Sequence, residues 1–258
     1  MKRWFNLFKA NLIKEYLELK RYLPNTIALA FTFYIVFLGM FLGIQFFGEA
    51  TIQEITTQHV IVNYVIWFLG IMVMQNIGYE ITNEAMRGTL EQLAMSPMGM
   101  WRIMVTRLVS LSILYFVIIS GLLFLSMATA RQWLNLDVIT ILPILFLTLL
   151  SMFGVGFMIA GLSVIVKQIH AFLQIFQFIL MGLTFVPLSV APYLKFAPFV
   201  KGVDLIRHVM IYNAGLFDFT WGDYLFLGIN TIVYFGLGLF VFLGCERFAM
   251  KKGLLAHY

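Results

Sequence analysis

Val138-Ile-Thr-Ile-Leu-Pro-Ile-Leu-Phe-Leu-Thr-Leu-Leu-Ser-Met-Phe-Gly-Val-Gly-Phe-Met-Ile-Ala-Gly-Leu-Ser-Val-Ile-Val166 runs for 29 residues without a charged side chain. As an α-helix rising 1.5 Å per residue it would reach ~43 Å, beyond the ~30 Å hydrocarbon core of a bilayer. Five further apolar stretches accompany it, at roughly 25–47, 59–79, 101–128, 169–189 and 223–245. The break at 167–170 is tight, so the fourth and fifth stretches form a short hairpin. The expected fold is an all-α integral membrane protein with six transmembrane helices.

Composition agrees. The 258 residues are 62% hydrophobic and 11% charged, with a mean hydropathy of +0.94. Soluble domains are about half apolar and about a quarter charged. No polar stretch is long enough to build a second unit, so residues 1–258 are read as a single transmembrane domain. The net charge of +5 is assigned to the positive-inside bias of membrane proteins rather than to nucleic acid. One cysteine, Cys245, excludes an internal disulfide and a cysteine metal cluster.

Charge also orients the chain. With the N-terminus inside, thirteen of the 17 Lys and Arg residues fall in cytoplasmic segments, and only Arg131, Lys195, Lys201 and Arg207 fall outside. The twelve acidic residues divide evenly, as expected where Lys and Arg carry the signal. Both ends are therefore expected in the cytoplasm of a multi-pass protein of the cell membrane. Residues 1–23 carry six basic side chains and no Ala-x-Ala pattern follows the next apolar stretch, so they are expected to belong to the mature protein.

Residues 1–22 read as an amphipathic interface helix. Trp4, Phe8, Leu12, Tyr16, Leu19 and Leu23 recur at helical spacing, with basic residues such as Lys9 largely on other faces. Such a helix lies in the headgroup layer as an anchor, or offers a docking surface to a cytoplasmic partner. Between the second and third stretches, Glu80, Glu84, Arg87 and Glu91 are spaced to share one face of a helix. Ser96-Pro97 is expected to stop that helix before Trp101 opens the next span. This loop is either solvated or a protein contact.

The outer segment 187–222 mixes prolines and charges with many apolar residues, too apolar for a solvated loop and too charged to span. Short helices over 190–215, carrying Pro198, Asp204 and Arg207, are expected to form a re-entrant hairpin between the fifth and sixth spans. Gly39 and Gly43 form a G-x-x-x-G, and Gly154, Gly156 and Gly161 thin the fourth stretch. These serve close packing within the chain or contact with a second copy.

No catalytic constellation stands out. No ionisable group is expected at mid-membrane depth, and the polar residues expected to be buried there are neutral, among them Asn63, Gln75, Asn76, Ser151, Gln174, Gln177 and Asn230. Gln75, Asn76, Gln174 and Gln177 either bond helix to helix or line a substrate path, and the last two share a face with His170. The four histidines lack metal-ligand spacing, and no P-loop motif is present. No metal site and no catalytic residue are expected, which leaves transport powered from elsewhere.

Two motifs carry a family resemblance. Glu84-Ala-Met-Arg-Gly-Thr-Leu-Glu-Gln-Leu-Ala-Met-Ser-Pro97 resembles the E…GTLE.L…SP loop of ABC-2 type transporter permeases, the transmembrane subunits of ABC exporters. Ala197-Pro-Phe-Val-Lys-Gly-Val-Asp-Leu-Ile-Arg207 resembles their NPLTY.VDALR segment, with Ala197 and Lys201 departing from the commonest residues. The resemblance covers nearly the whole chain. It implies a coupling helix within 81–98, with Glu84, Arg87, Gly88, Thr89, Leu90, Glu91, Leu93 and Pro97 docking on a separate ABC ATPase subunit. It also implies that ATP and Mg act through that partner, that Trp4, Phe8 and Lys9 lie on the interface helix beside it, and that two permeases form a homo- or heterodimer. Family members export lipids, lipid-linked glycans, drugs and peptides; the GTLE loop leans toward an amphipathic drug or lipid. A membrane-embedded sensor or immunity component, a lipid-linked polysaccharide exporter and an ion-coupled transporter stand as alternatives.

Overall fold

The computed structural model describes residues 2–47, 53–166 and 169–252. The tight break between the fourth and fifth stretches thus lies outside the described residues at 167–168. Among the described residues there are no strands. The chain forms α1 (Lys2–Arg21), α2 (Leu23–Phe47), α3 (Gln53–Met86), the short α4 (Leu90–Ala94), α5 (Met100–Ala130), α6 (Val138–Val166) and α7 (His170–Phe185). A 3-10 turn (Pro192–Phe196), α8 (Val200–Tyr212) and α9 (Trp221–Lys251) complete it.

Five helices, α2, α3, α5, α6 and α9, are long and apolar enough to cross a membrane. The fifth apolar stretch falls short of the expectation. α7 has 16 residues, about 24 Å at 1.5 Å per residue. It stops because Pro187 forces Val186 into an extended conformation, with ψ 119°. In contrast, α3 outruns its expected span by a turn or more at each end.

α3 is the axis of the bundle. Its most apolar window is 82% buried, against 11% for α2. α2, α5, α6, α7 and α8 all pack on it. Phe33 of α2 stacks on Phe68 of α3 with centroids 3.7 Å apart, and Phe37 meets Tyr64 at 5.5 Å. The outward faces keep large apolar side chains exposed, including Phe31, Phe46, Val117, Ile139, Phe146, Phe178 and Phe240. That pattern is stable where the solvent is lipid.

α6 and α9 make the closest helix pair. A Cβ built at Gly154 would fall on the Tyr234 carbonyl, and one at Gly238 on the Gly154 carbonyl. At Gly161 the nearest atom would be the Phe242 Cα at 3.1 Å. Gly154 and Gly161 therefore serve packing within the chain. Gly39 and Gly43, by comparison, meet nothing within 4 Å.

The segment after α7 folds back against α6 and α9. Phe199, in the left-handed region at φ 57°, turns the chain into α8 and donates its N–H to the Ser151 hydroxyl at 3.1 Å. Asn230 and Tyr234 both donate to the Phe196 carbonyl, at 3.1 and 3.0 Å. A Cβ at Gly202 would strike the Thr148 side chain, so α8 lies hard on α6. Lys201 pairs with Asp223 at 2.8 Å.

Gly238→Val should destabilise the folded chain by about 3 kcal/mol through overpacking. Gly39→Ala should be neutral or raise stability by up to ~1 kcal/mol through helix propensity. Thermal unfolding of both variants in detergent checks this; equal effects would remove the distinction between the two glycine sets.

Candidate functional site

The residues singled out between the second and third stretches lie at one end of the bundle, but not on one helix. α3 ends at Met86, and Gly88 takes φ 69°. The Thr89 N–H then reaches back to the Glu84 carbonyl at 2.9 Å. This six-to-one closure around a left-handed glycine is a Schellman stop. A second left-handed glycine, Gly99 at φ 75°, precedes α5. α4 is thus an isolated five-residue helix, and Glu91 does not continue the Glu80–Glu84 face. The helix ends at Ala94, before Ser96-Pro97, and α4 is not continuous with α5.

Glu84 turns inward. Its Oε1 accepts from Arg107 Nη1 at 2.7 Å, and its other carboxylate oxygen accepts from the Thr89 hydroxyl. Glu80 Oε2 takes a second bond from the same Arg107 nitrogen at 3.0 Å. Lys14 of α1 reaches Glu80 at 3.5 Å, Glu15 at 3.4 Å and Glu18 at 3.8 Å. The three carboxylates Glu15, Glu18 and Glu80 converge, and the Lys14 ammonium supplies the positive charge among them. α1, α3 and α5 are therefore tied by one charged network.

α1 meets the bundle along a polar seam that its apolar spacing does not mark. Asn11 and Glu15 are its buried residues, with Asn11 donating to the Thr106 hydroxyl at 2.7 Å. Phe8 and Leu12 are half-buried beside them, whereas Tyr16 and Leu23 are exposed. Trp4 packs edge-on against Trp101 at 6.3 Å, with the Arg102 guanidinium over both rings, and Lys9 is exposed. Burial pushes the Glu15 carboxyl above its usual range, reinforced by Glu80 and Glu18 and opposed by Lys14.

Around α4, Leu90 is buried and Leu93 packs on the core. Arg87, Gly88, Glu91, Gln92, Met95 and Pro97 are exposed. Met95 was not among the residues marked by the motif, yet it is 71% exposed beside Glu91. Charge spacing alone carried no signal for it.

The neutral polar residues separate. Gln75 and Gln177 meet at 3.5 Å between α3 and α7, and Gln75 also donates to the Leu173 carbonyl at 3.4 Å. Asn76 bonds the Met72 carbonyl of its own helix, and Gln174 is exposed. The side chain of His170 lies outside the described residues.

Not every polar group inside the bundle is neutral. Besides the Arg107–Glu84 pair, Arg207 of α8 is 3% exposed. Its Nε donates to Asn63 Oδ1 at 2.7 Å and its Nη2 to the Thr184 carbonyl. Asp204 lies 4.0 Å away, and Pro198 sits in the turn before Phe199. Counting Arg107 only as a topology charge, and placing Arg207 only in a re-entrant hairpin, gave no sign of these bonds.

Neither a scan of protein-family models nor a search of curated proteins matches the chain. Two predictions follow from the network itself. Arg107→Leu leaves Glu84 buried without its cation and should cost roughly 3 kcal/mol, whereas the exposed Arg87→Leu should change stability by less than about 0.5 kcal/mol. Thermal unfolding of the two variants compares them. Glu15 holds its proton more tightly folded than unfolded, so its favourable contribution is complete below the ordinary value of 4.5 and is lost as pH rises through the raised folded value. Glu15→Gln should therefore flatten the decline in unfolding temperature above pH 4.5, measured against the wild type.

Proposed function

We propose that this chain is the permease subunit of an ATP-driven ABC-2 type exporter, moving an amphipathic, lipid-like or drug-like substrate across or out of the cell membrane. The observation that carries the reading is α4. It is a short helix set off by two left-handed glycines, anchored inward by Leu90 and Leu93 and presenting Arg87, Glu91, Met95 and Pro97 outward. A separate ATPase subunit would receive these side chains and supply ATP and Mg, since this chain has no P-loop motif.

In this reading α7 is the fifth of six spans, both ends are cytoplasmic, and α1 lies along the inner membrane surface. The 3-10 turn and α8 form the re-entrant hairpin on the far side. A second permease copy or homologue completes the pathway. Displacement of α4 by the ATPase would load Thr89 and Glu84, and through Arg107 would reach α5 and α1 together. Gln75 and Gln177, bonded across α3 and α7, are the polar residues best suited to face a substrate between spans.

The experiment is co-expression with candidate ABC ATPase subunits from the same source. Glu91→Arg combined with Arg87→Glu should leave the permease folded while lowering permease-stimulated ATP hydrolysis by about tenfold, given several disrupted charge contacts at one interface. Glu84 is the wrong residue for this test, because reversing it would break the internal network first. Full stimulation by the double variant, with an intact complex, would overturn the docking surface. ATP-independent ligand binding without movement in vesicles would favour a sensor.

A further inference from the structure

We propose that the cavity at the α8 end of the bundle is a binding site for a phosphate group, carried by a lipid headgroup or by a soluble compound. This rests on the membrane reading of the chain and not on its coupling to an ATPase. The cavity holds about 440 Å³ between the start of α3, the 187–189 turn and α8. His59, Ser189, Asp204, Arg207, His208 and Tyr212 bring its polar groups.

Arg207 is the reason to expect an anion. Its guanidinium is fixed by two neutral acceptors, Asn63 Oδ1 and the Thr184 carbonyl. These satisfy hydrogen bonds but do not balance the charge. The remaining nitrogen, Nη1, is 4.0 Å from Asp204, too far for a hydrogen bond. A buried cation with so weak a counter-charge favours any anion that can enter beside it.

Asp204 also lines the cavity and its carboxylate opposes an anion, whereas the remaining polar walls offer imidazole and hydroxyl groups. His208 Nδ1 lies 2.8 Å from the Asp204 carbonyl, which can only accept, so Nδ1 is the donor of that bond. His59 Nε2 and the Tyr212 hydroxyl share a hydrogen bond at 3.2 Å, and Ser189 adds a further hydroxyl. Guanidinium, imidazole and hydroxyl groups thus approach from three elements rather than from one plane. A tetrahedral oxyanion accepts donors from that range of directions better than a planar carboxylate does, and charge-assisted bonds to it are the strong ones. The site sits where α3 begins its apolar run, the depth at which headgroups lie when α3 spans a bilayer.

The test uses the full chain in nanodiscs of phosphatidylcholine, with and without phosphatidylglycerol. Inorganic phosphate, against sulfate and chloride at equal ionic strength, should raise the unfolding temperature saturably, or phosphatidylglycerol should be enriched among lipids retained in native mass spectrometry. Phosphate protection alone assigns a soluble phosphate compound; lipid enrichment assigns the headgroup; either supports the site. Arg207→Gln risks misfolding because Arg207 pins α8 to α3. His208→Asp, at an exposed position, places a negative charge at the cavity and should weaken the response at least about tenfold, read against the variant's own unfolding temperature without phosphate. Absence of both responses, or a His208→Asp chain that responds as the wild type does, overturns the proposal and leaves the exporter reading untouched.

Discussion

Helices surrounded by lipid gain little by hiding apolar side chains from one another, because hydrocarbon solvates those side chains equally well. Cohesion has to come from close contact and from polar bonds that lipid cannot replace. In this chain the first source is the crossing of α6 and α9, where glycines let one backbone rest on the other's carbonyl. The second is a small set of polar ties: Arg107 to Glu84 and Glu80 at one end, Arg207 to Asn63 and Thr184 at the other. α3 contributes to both sets of ties. Its burial is the geometric result, since a helix bonded at both ends cannot sit at the rim.

Much of this fold could be read from hydropathy, because a charge-free run such as 138–166 has few alternatives to a membrane helix. What hydropathy could not measure was where each helix stops. The 169–189 stretch carries no Asp, Glu, Lys or Arg, yet Pro187 ends α7 four residues early. The helix drawn through Glu91 failed for a related reason. Charge spacing ignores backbone handedness, whereas Gly88 followed by Thr89 encodes a stop that four carboxyl and guanidinium positions do not cancel.

At the candidate site, the residue types were legible and their directions were not. Glu84 carries the motif yet points inward, because an arginine seven residues into the next long helix lies opposite it. That juxtaposition depends on the turn geometry of 87–99, which no periodicity encodes. The buried seam of α1 was not legible for the same reason: Asn11 and Glu15 are buried because Thr106 and Lys14 can satisfy them, and an apolar stripe has no knowledge of partners. Arg207 was read as part of a re-entrant hairpin with its charge near water, and only the packing of α8 on α3 reveals its enclosure.

α2 gives the bundle an asymmetry of a different kind. It joins α1 through the single turn residue Tyr22, and its central window is scarcely covered. A few aromatic contacts and the Tyr34–Thr129 hydrogen bond at 2.7 Å hold it to the rest. Of the five long helices it forfeits the least contact when moved aside. Without α2 the flank of α3 would lie open to lipid while the charged network of α1, α3 and α5 stayed intact. The bundle thus has one light wall and a closed frame.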